Sequence, residues 1–475
     1  MTESQDSKAA GAVAASGPWY RGLTGYHWFV LVVCSLGWAF DTMDQQLFIL
    51  ARAPAMAELL GQTVAKEDIK FYSGLATTIF MFGWATGGIV FGMLGDRWGR
   101  AKTMLLAILV YSAFTGLSAL SATWWDFSAY RFLAGMGVGG EFAAGVSLVA
   151  EVMPARARPY ALGALQALSA VGNVTAALIS LNLPPGEQMH GVSGWRLMFL
   201  VGILPALLVV LAMRRLKEPE SWVRAKEGMA RGPARGGAAP ALGSLRELFG
   251  DRRWRRNVLV GITMALAGIM GLWGIGFWMP ELVRDVVPAD GSRGSPDWYV
   301  SWAMLLQNSG AFVGIYVFSV VTGIVGRRPA FALSFAIGLA TVIGVFGFMS
   351  RPGQIWWMAP MLGFATLTVF GGYSIYFPEL FPTRLRATGT GFCYNTARYL
   401  AAAAPFTLGA LASVFAAPPG SERAAAGVSK FSLLSSLGGA DEPIRYAAIV
   451  VASVFLLGLV VLPFAPETKG KPLPE

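Results

Sequence analysis

Gly92-Met-Leu-Gly-Asp96-Arg97-Trp-Gly99-Arg100-Ala-Lys102 stands between two long apolar segments. Ionised side chains do not stay in hydrocarbon. The four charges of this stretch therefore mark a point where the chain leaves an apolar medium and turns back into it. Glycines permit the tight reversal, and a connection this brief makes the flanking segments antiparallel neighbours.

The surrounding chain has 475 residues, 55% hydrophobic and 13% charged, whereas a soluble domain carries about 25% charged residues. Crossing a bilayer takes about twenty apolar residues. Twelve stretches suffice: 27–48, 71–94, 103–122, 126–150, 161–183, 195–213, 257–283, 298–323, 328–349, 355–378, 386–412 and 443–465. They are continuous and too long for barrel strands. The formal charge of +10 would suit nucleic acid, but the basic residues fall in the loops. With both termini inside, inner segments hold 25 of the 37 Lys and Arg residues and outer loops hold 10, as the positive-inside rule requires. The expectation is a monomeric, multi-pass protein of the plasma (inner) membrane, with both termini cytoplasmic and no nucleic-acid partner. Residues 1–26 lack the basic-then-apolar pattern of a cleaved signal and read as a disordered tail. Cys34 and Cys393 lie in apolar helices, and His27 and His190 are far apart, so neither a disulfide framework nor a metal site is expected.

The chain repeats itself. Glu151-Val-Met-Pro154-Ala-Arg156-Ala-Arg158 after the fourth span returns 228 residues later as Glu379-Leu-Phe-Pro382-Thr-Arg384-Leu-Arg386. Gly99-Arg100 returns as Gly326-Arg327, and Glu218-Pro-Glu-Ser221 as Ala465-Pro-Glu-Thr468. Three pairs in one order indicate a parallel repeat of two six-helix bundles with a site near the midplane between them. The expected organisation is a tail (1–26), a bundle (27–213), a linker (214–256), a second bundle (257–465) and a short tail (466–475). Within the linker, 228–240 reads as flexible, and Ser244 to Phe249 with Arg252–Arg256 as a surface helix at the anionic inner leaflet. Asp96 has no acidic counterpart; Gly323 takes its place.

Gly-x-Leu-Gly-Asp-Arg-x-Gly-Arg at 92–100 resembles the loop between the second and third helices of the major facilitator superfamily of transporters. Arg131-x-x-x-Gly135-x-Gly137-x-Gly139-Gly140-Glu141 is similar to the fourth-helix motif of its metabolite and sialate symporter branches. Pro219-Glu-Ser221, Pro378 to Gly391 and Pro466 to Gly470 resemble sugar-porter signatures. The resemblance implies an all-α membrane protein whose twelve helices form two pseudo-symmetric six-helix bundles. It implies a transporter rather than an enzyme, without a cofactor. It also implies contact between the first-loop acid and the start of helix eleven. A cytoplasmic gate of Asp96, Arg97, Arg100, Glu151, Arg156, Glu379 and Arg384 is then expected, unless these charges only set orientation.

Ionisable residues inside spans need a partner or a purpose. Asp41 and Asp44 share a face of helix one with Gly37 and Phe48. Two carboxylates so close repel when both are ionised, so one takes up a proton, as proton coupling requires. Asp-x-x-Asp also resembles the aromatic-acid/proton symporters, although Thr42 replaces their glycine. Glu141 is a third candidate proton carrier, and Arg131 could face either aspartate. Gln166, Ser169 and Asn173 of helix five, and Gln307 and Asn308 of helix eight, suit either a polar cavity or bonds between helices. Arg398 in helix eleven, with Tyr394 and Asn395 a turn before it, suits a substrate carboxylate. Tyr373, Tyr376, Trp273 and Trp278 are candidates for the wall. No Gly-x-x-x-x-Gly-Lys-Ser/Thr is present, so energy would come from a gradient.

The expected function is proton-coupled symport of a small organic anion by alternating access. Arg398, Asn395, Tyr394, Arg131, Gln166 and Asn173 would bind it, and Asp41, Asp44 or Glu141 would carry the proton. A sugar or polyol porter is the alternative. This mechanism places Asp41, Arg131, Glu141 and Arg398 around one shared gap between the halves.

Overall fold

A computed structural model describes residues 18–61, 66–189, 191–212, 214–230, 241–273, 275–287, 296–402, 411–418, 421–425 and 428–474. Helices dominate it. Among the described residues the only sheet is a two-residue hairpin pairing Gln188–Met189 with Val192–Ser193. Nine helices among them are long and apolar enough to cross a membrane. These are helices two to five and seven to ten, followed by helix twelve (Pro443–Phe464). Three more segments complete the twelve. Helix one (Gly25–Leu60) is long but carries Asp41, Asp44, Arg52 and Glu58. Helix six is split into Gly194–Val201 and Pro205–Ala212. Helix eleven (Arg386–Ala401) runs to the edge of the described residues.

The charged stretch at 92–102 is more helical than expected. Helix two (Lys66–Trp98) continues through Asp96 and Arg97, and helix three (Arg100–Ser118) begins two residues after Trp98. The whole reversal falls on Gly99, whose φ of +121° is one that side chains disfavour. Gly326 (φ +99°) does the same between helix eight (Pro296–Val325) and helix nine (Arg327–Phe348). The charges find partners without unwinding the helix that carries them.

Two other boundaries move. The basic run Arg252–Arg256 is not part of a surface helix; it opens helix seven (Arg252–Trp273). The preceding surface helix is only Leu245–Gly250, started by the Ser244 hydroxyl, which accepts the Glu247 N–H at 3.3 Å. Helix seven ends at Trp273, short of 283, and an amphipathic helix, Met279–Val286, follows. In the linker Glu220–Ala230 is helical, so residues 228–230 are helix where a flexible segment was expected. Residues 231–240, His190, the side chain of Trp273 and most of the expected tail (1–17) lie outside the described residues.

Helix four (Trp124–Val152) shows why its glycines are spaced as they are. A Cβ on Gly139 would stand 2.0 Å from the Trp84 carbonyl of helix two, and one on Gly137 would stand 2.5 Å from the Tyr111 nitrogen of helix three. Alternating glycines thus let one helix close on two neighbours. The two halves meet where helix two packs on helix eleven and helix five packs on helix eight.

Candidate functional site

Between the halves lies a cavity of about 130 Å³, lined by Trp38, Thr42, Gln45 and Gln46 of helix one, Trp84, helices five, seven and eight, and Phe370, Tyr394 and Arg398. Gln166 and Asn173 border it, as do Gln307 and Asn308. Asn173 donates to Asn308 Oδ1 at 3.0 Å, joining the halves across the wall. Trp38 Nε1, Gln166 Oε1, Gln307 Oε1 and Arg398 Nε are buried without a hydrogen-bond partner. Buried polar atoms are normally satisfied, so these four are open to whatever enters.

Arg398 is the charge in that wall. It is 2% exposed, and its guanidinium lies 4.1 Å from the ring centroids of both Trp84 and Tyr394. Nη1 donates to the Tyr394 carbonyl at 3.2 Å and to Asn395 Oδ1 at 3.1 Å. Among the described residues no carboxylate stands within ion-pair distance of it. Two aromatic faces, one from each half, hold the cation flat and leave an edge unpaired.

Asn395, expected to bind substrate, does not line the cavity. It orients Arg398 and fills the space over Gly88, where a Cβ would stand 1.9 Å from its Nδ2. Arg131 is also displaced from the expected role. It is fully buried, 3.5 Å from Asp44, donating to Thr115 Oγ at 2.8 Å and to Ser118 Oγ at 3.0 Å. Thr115 in turn donates to Asp44 Oδ1 at 2.5 Å. Arg131 pairs with Asp44 Oδ1 inside the first half, with Asp44 Oδ2 left unpaired, so it faces an aspartate as the sequence allowed and does not line the cavity. Tyr373 and Tyr376 are buried in the second half, donating to the Met264 and Pro466 carbonyls. Trp278 is likewise absent from the cavity lining.

Asp41 and Glu141 sit behind the wall rather than in it. Both are buried, Asp41 with neither oxygen hydrogen-bonded and Glu141 with Oε2 unpaired. Glu141 Oε1 comes within 2.8 Å of where a Cβ on Gly37 would stand. Trp38, Thr42 and Gln45 of helix one face the cavity, while Asp41 and Asp44 face the bundle interior. The expected common gap is therefore a cavity with one charge, backed by a buried file of acids.

The face bearing Gly99, Gly326 and the linker is the basic face, and toward it the cavity is closed. Tyr394 stacks on Phe142 with centroids 3.9 Å apart. Asp96 then accepts the Ala387 and Thr388 N–H groups at 3.1 and 2.9 Å and the Thr388 hydroxyl at 2.5 Å, at the N-terminus of helix eleven. A carboxylate is favoured there. Arg100 pairs with Asp96 and Glu151, both at 3.0 Å, and donates to the Thr383 carbonyl of the other half. Glu151 also takes Arg386 at 2.7 Å. Glu379 pairs with Arg327 inside the second half. Exposed Arg97 donates to the Leu242 carbonyl, Arg384 pairs with Glu247 of the linker at 2.7 Å, and Arg156 is exposed.

The sequence reading passed over Arg386, Trp38, Trp84, Gln45, Gln46 and the linker groups Ser221 and Trp222. Ser221 donates to Glu151, and the Trp222 indole to the Asp96 carbonyl at 2.7 Å. Gln45-Gln46, two amides in an apolar helix, were a visible signal.

Two helical halves around a polar cavity, closed at one end by ion pairs, define a membrane transporter. The chain belongs to the Major Facilitator Superfamily, whose family model matches residues 13–405. It is 28% identical over 452 residues to a putative metabolite transport protein of Haemophilus influenzae, covering 95% of this chain and 99% of that one. It is 30% identical over 347 residues to the cis,cis-muconate transport protein of Acinetobacter baylyi, covering 72% and 78%. The solved proton:xylose symporter XylE shares the fold at a TM-score of 0.72 and 17% identity, covering 94% and 98%.

Proposed function

We propose that this transporter carries a small organic anion with a flat, conjugated framework, together with a proton, by alternating access, and that its basic face is cytoplasmic. One observation carries the reading: Arg398 is a buried cation in the cavity wall and, among the described residues, no carboxylate stands within ion-pair distance of it. An uncompensated buried charge is costly, and a substrate carboxylate supplies the missing partner through a two-pronged pair. Trp38, Trp84, Phe370 and Tyr394 offer aromatic faces, and Gln166, Asn173, Gln307 and Asn308 receive the far, polar end. The muconate transporter's name points the same way. A sugar or polyol would use the amides but leave Arg398 unpaired. In liposomes containing the purified protein, an inward-directed proton gradient should drive accumulation of radiolabelled muconate or benzoate, and xylose should neither accumulate nor compete. Xylose accumulation with no carboxylate uptake would refute the assignment.

In this reading Asp96, Arg100, Glu151 and Arg386 form the cytoplasmic gate, with Arg97, Arg384 and Glu379 supporting it. Asp96→Asn keeps the shape but loses the charge and one acceptor. Hydrogen bonds to charged groups contribute about 1.5–3 kcal/mol each, so the inward-open population should rise about tenfold or more. Spin labels at exposed Lys102 and Pro329 should then show a longer distance component. An unchanged distribution would remove Asp96 from the gate.

A further inference from the structure

On the basic face a recess of about 950 Å³ lies between the start of helix seven and the chain's last residues, 466–474. Arg252, Arg253 and Arg256 line it from one side and Lys471 from the other. The carboxylates around it are already committed. Glu379 takes Arg327 at 2.7 Å and the Thr468 hydroxyl at 2.6 Å. Partial burial opposes it, yet four backbone N–H groups (Arg327, Arg328, Thr468 and Lys469) hold the Glu467 carboxyl below its ordinary range. Asp251 Oδ1 accepts the Arg253 N–H at 2.7 Å.

The cations are not committed to the same degree. Arg256 donates to the Phe464 carbonyl, and Arg253 lies 4.6 Å over the ring of Trp254. Among the described residues, the guanidinium groups of Arg252 and Arg253 and the ammonium of Lys471 have no hydrogen-bond or ion-pair partner. Like charges converging on one recess repel, and an anion seated between them relieves that repulsion. Its depth fixes the anion's place. Arg252 and Arg253 open an apolar span, Arg252–Leu272, and the outward-facing apolar surface of helix seven begins with exposed Leu259, about two turns from Arg253. That is the level of lipid headgroups.

We infer that Arg252, Arg253 and Lys471 bind a phosphate group at this recess, presented by an anionic phospholipid of the facing leaflet. The site is separate from the substrate cavity and does not depend on what the cavity carries.

The test uses the full chain in neutral detergent, with its melting midpoint read against phosphatidylglycerol, phosphatidylcholine and inorganic phosphate. Phosphatidylglycerol should raise the midpoint by about 2 °C or more, and phosphatidylcholine should not. The rise should fall by at least about half in Arg252→Gln/Arg253→Gln/Lys471→Gln, and persist in Arg214→Gln/Arg215→Gln/Arg224→Gln, which removes equal charge from other exposed positions. Inorganic phosphate giving the same rise through the same three residues would keep the phosphate site and assign its occupant to a soluble source. Equal protection of both variants and the parent would overturn the proposal. Should the first variant fail to fold, salt decides. Raising it from about 50 to about 300 mM should at least halve the parent's rise, and a salt-independent rise would overturn the site.

Discussion

Arg398→Ala is expected to weaken carboxylate binding at least about 100-fold and to reduce uptake to background. The loss follows from what the guanidinium lacks: among the described residues no carboxylate is within ion-pair distance of it, so its charge is available to the ligand. Each hydrogen bond to a charged group contributes about 1.5–3 kcal/mol, and a two-pronged pair loses both, where every 1.4 kcal/mol is tenfold. Arg398→Lys keeps the charge but not the geometry. The arginine plane lies between Trp84 and Tyr394, 4.1 Å from each centroid, and an ammonium neither stacks that way nor presents a fork. Lysine should therefore cost roughly tenfold. Binding is measured by calorimetry on purified protein, separately from transport, so that a folding defect shows as loss of the melting transition. Unaltered carboxylate affinity in Arg398→Ala would leave the cavity without its principal ligand contact.

Periodicity and repetition made most of this architecture legible. The 228-residue offset paired Glu151 with Glu379, and Pro154 with Pro382, before any coordinates. The first arginine of each Pro-x-Arg-x-Arg run, Arg156 and Arg384, is the one expected at the gate, whereas the second of each turns inward. Two residues apart at a helix start, the two arginines point in different directions. The structure buries Arg158 and Arg386, which donate to the Ala150 and Pro378 carbonyls, and leaves Arg156 exposed. The offset also explains the missing acid at Gly323. The position matching Ala387 is Pro159, which has no N–H to donate, so a carboxylate there would lose one of Asp96's partners. Helix one marks the limit of such reasoning. Its spacing put Gly37, Asp41, Asp44 and Phe48 on one face, which holds. A helix buried on both sides does not reveal from its pattern which face meets the cavity and which the bundle interior.

That distinction shapes the second expectation: Asp41→Asn should abolish proton-driven accumulation while leaving carboxylate exchange largely intact. Asp41 has no hydrogen bond to either oxygen and is fully buried. Ionised, it would cost several kcal/mol in this closed state. Asp44 differs, because Arg131 and Thr115 compensate its charge whether or not substrate is present. Asp41 is within coulombic reach of Glu141, Asp44 and Arg398, although it does not line the cavity itself. In the proposed mechanism, a carboxylate on Arg398 offsets the positive potential that would favour ionised Asp41, so anion binding and protonation of Asp41 would favour each other. Asparagine mimics the loaded acid permanently. Accumulation ratios should fall to about one, since no proton is released, while counterflow of labelled against unlabelled substrate should stay within about threefold of the parent. Glu141→Gln provides the control. If it uncouples transport and Asp41→Asn does not, the proton rides on helix four. If both variants still concentrate substrate under a pH gradient, the buried acids only hold helices together and the driving ion binds elsewhere.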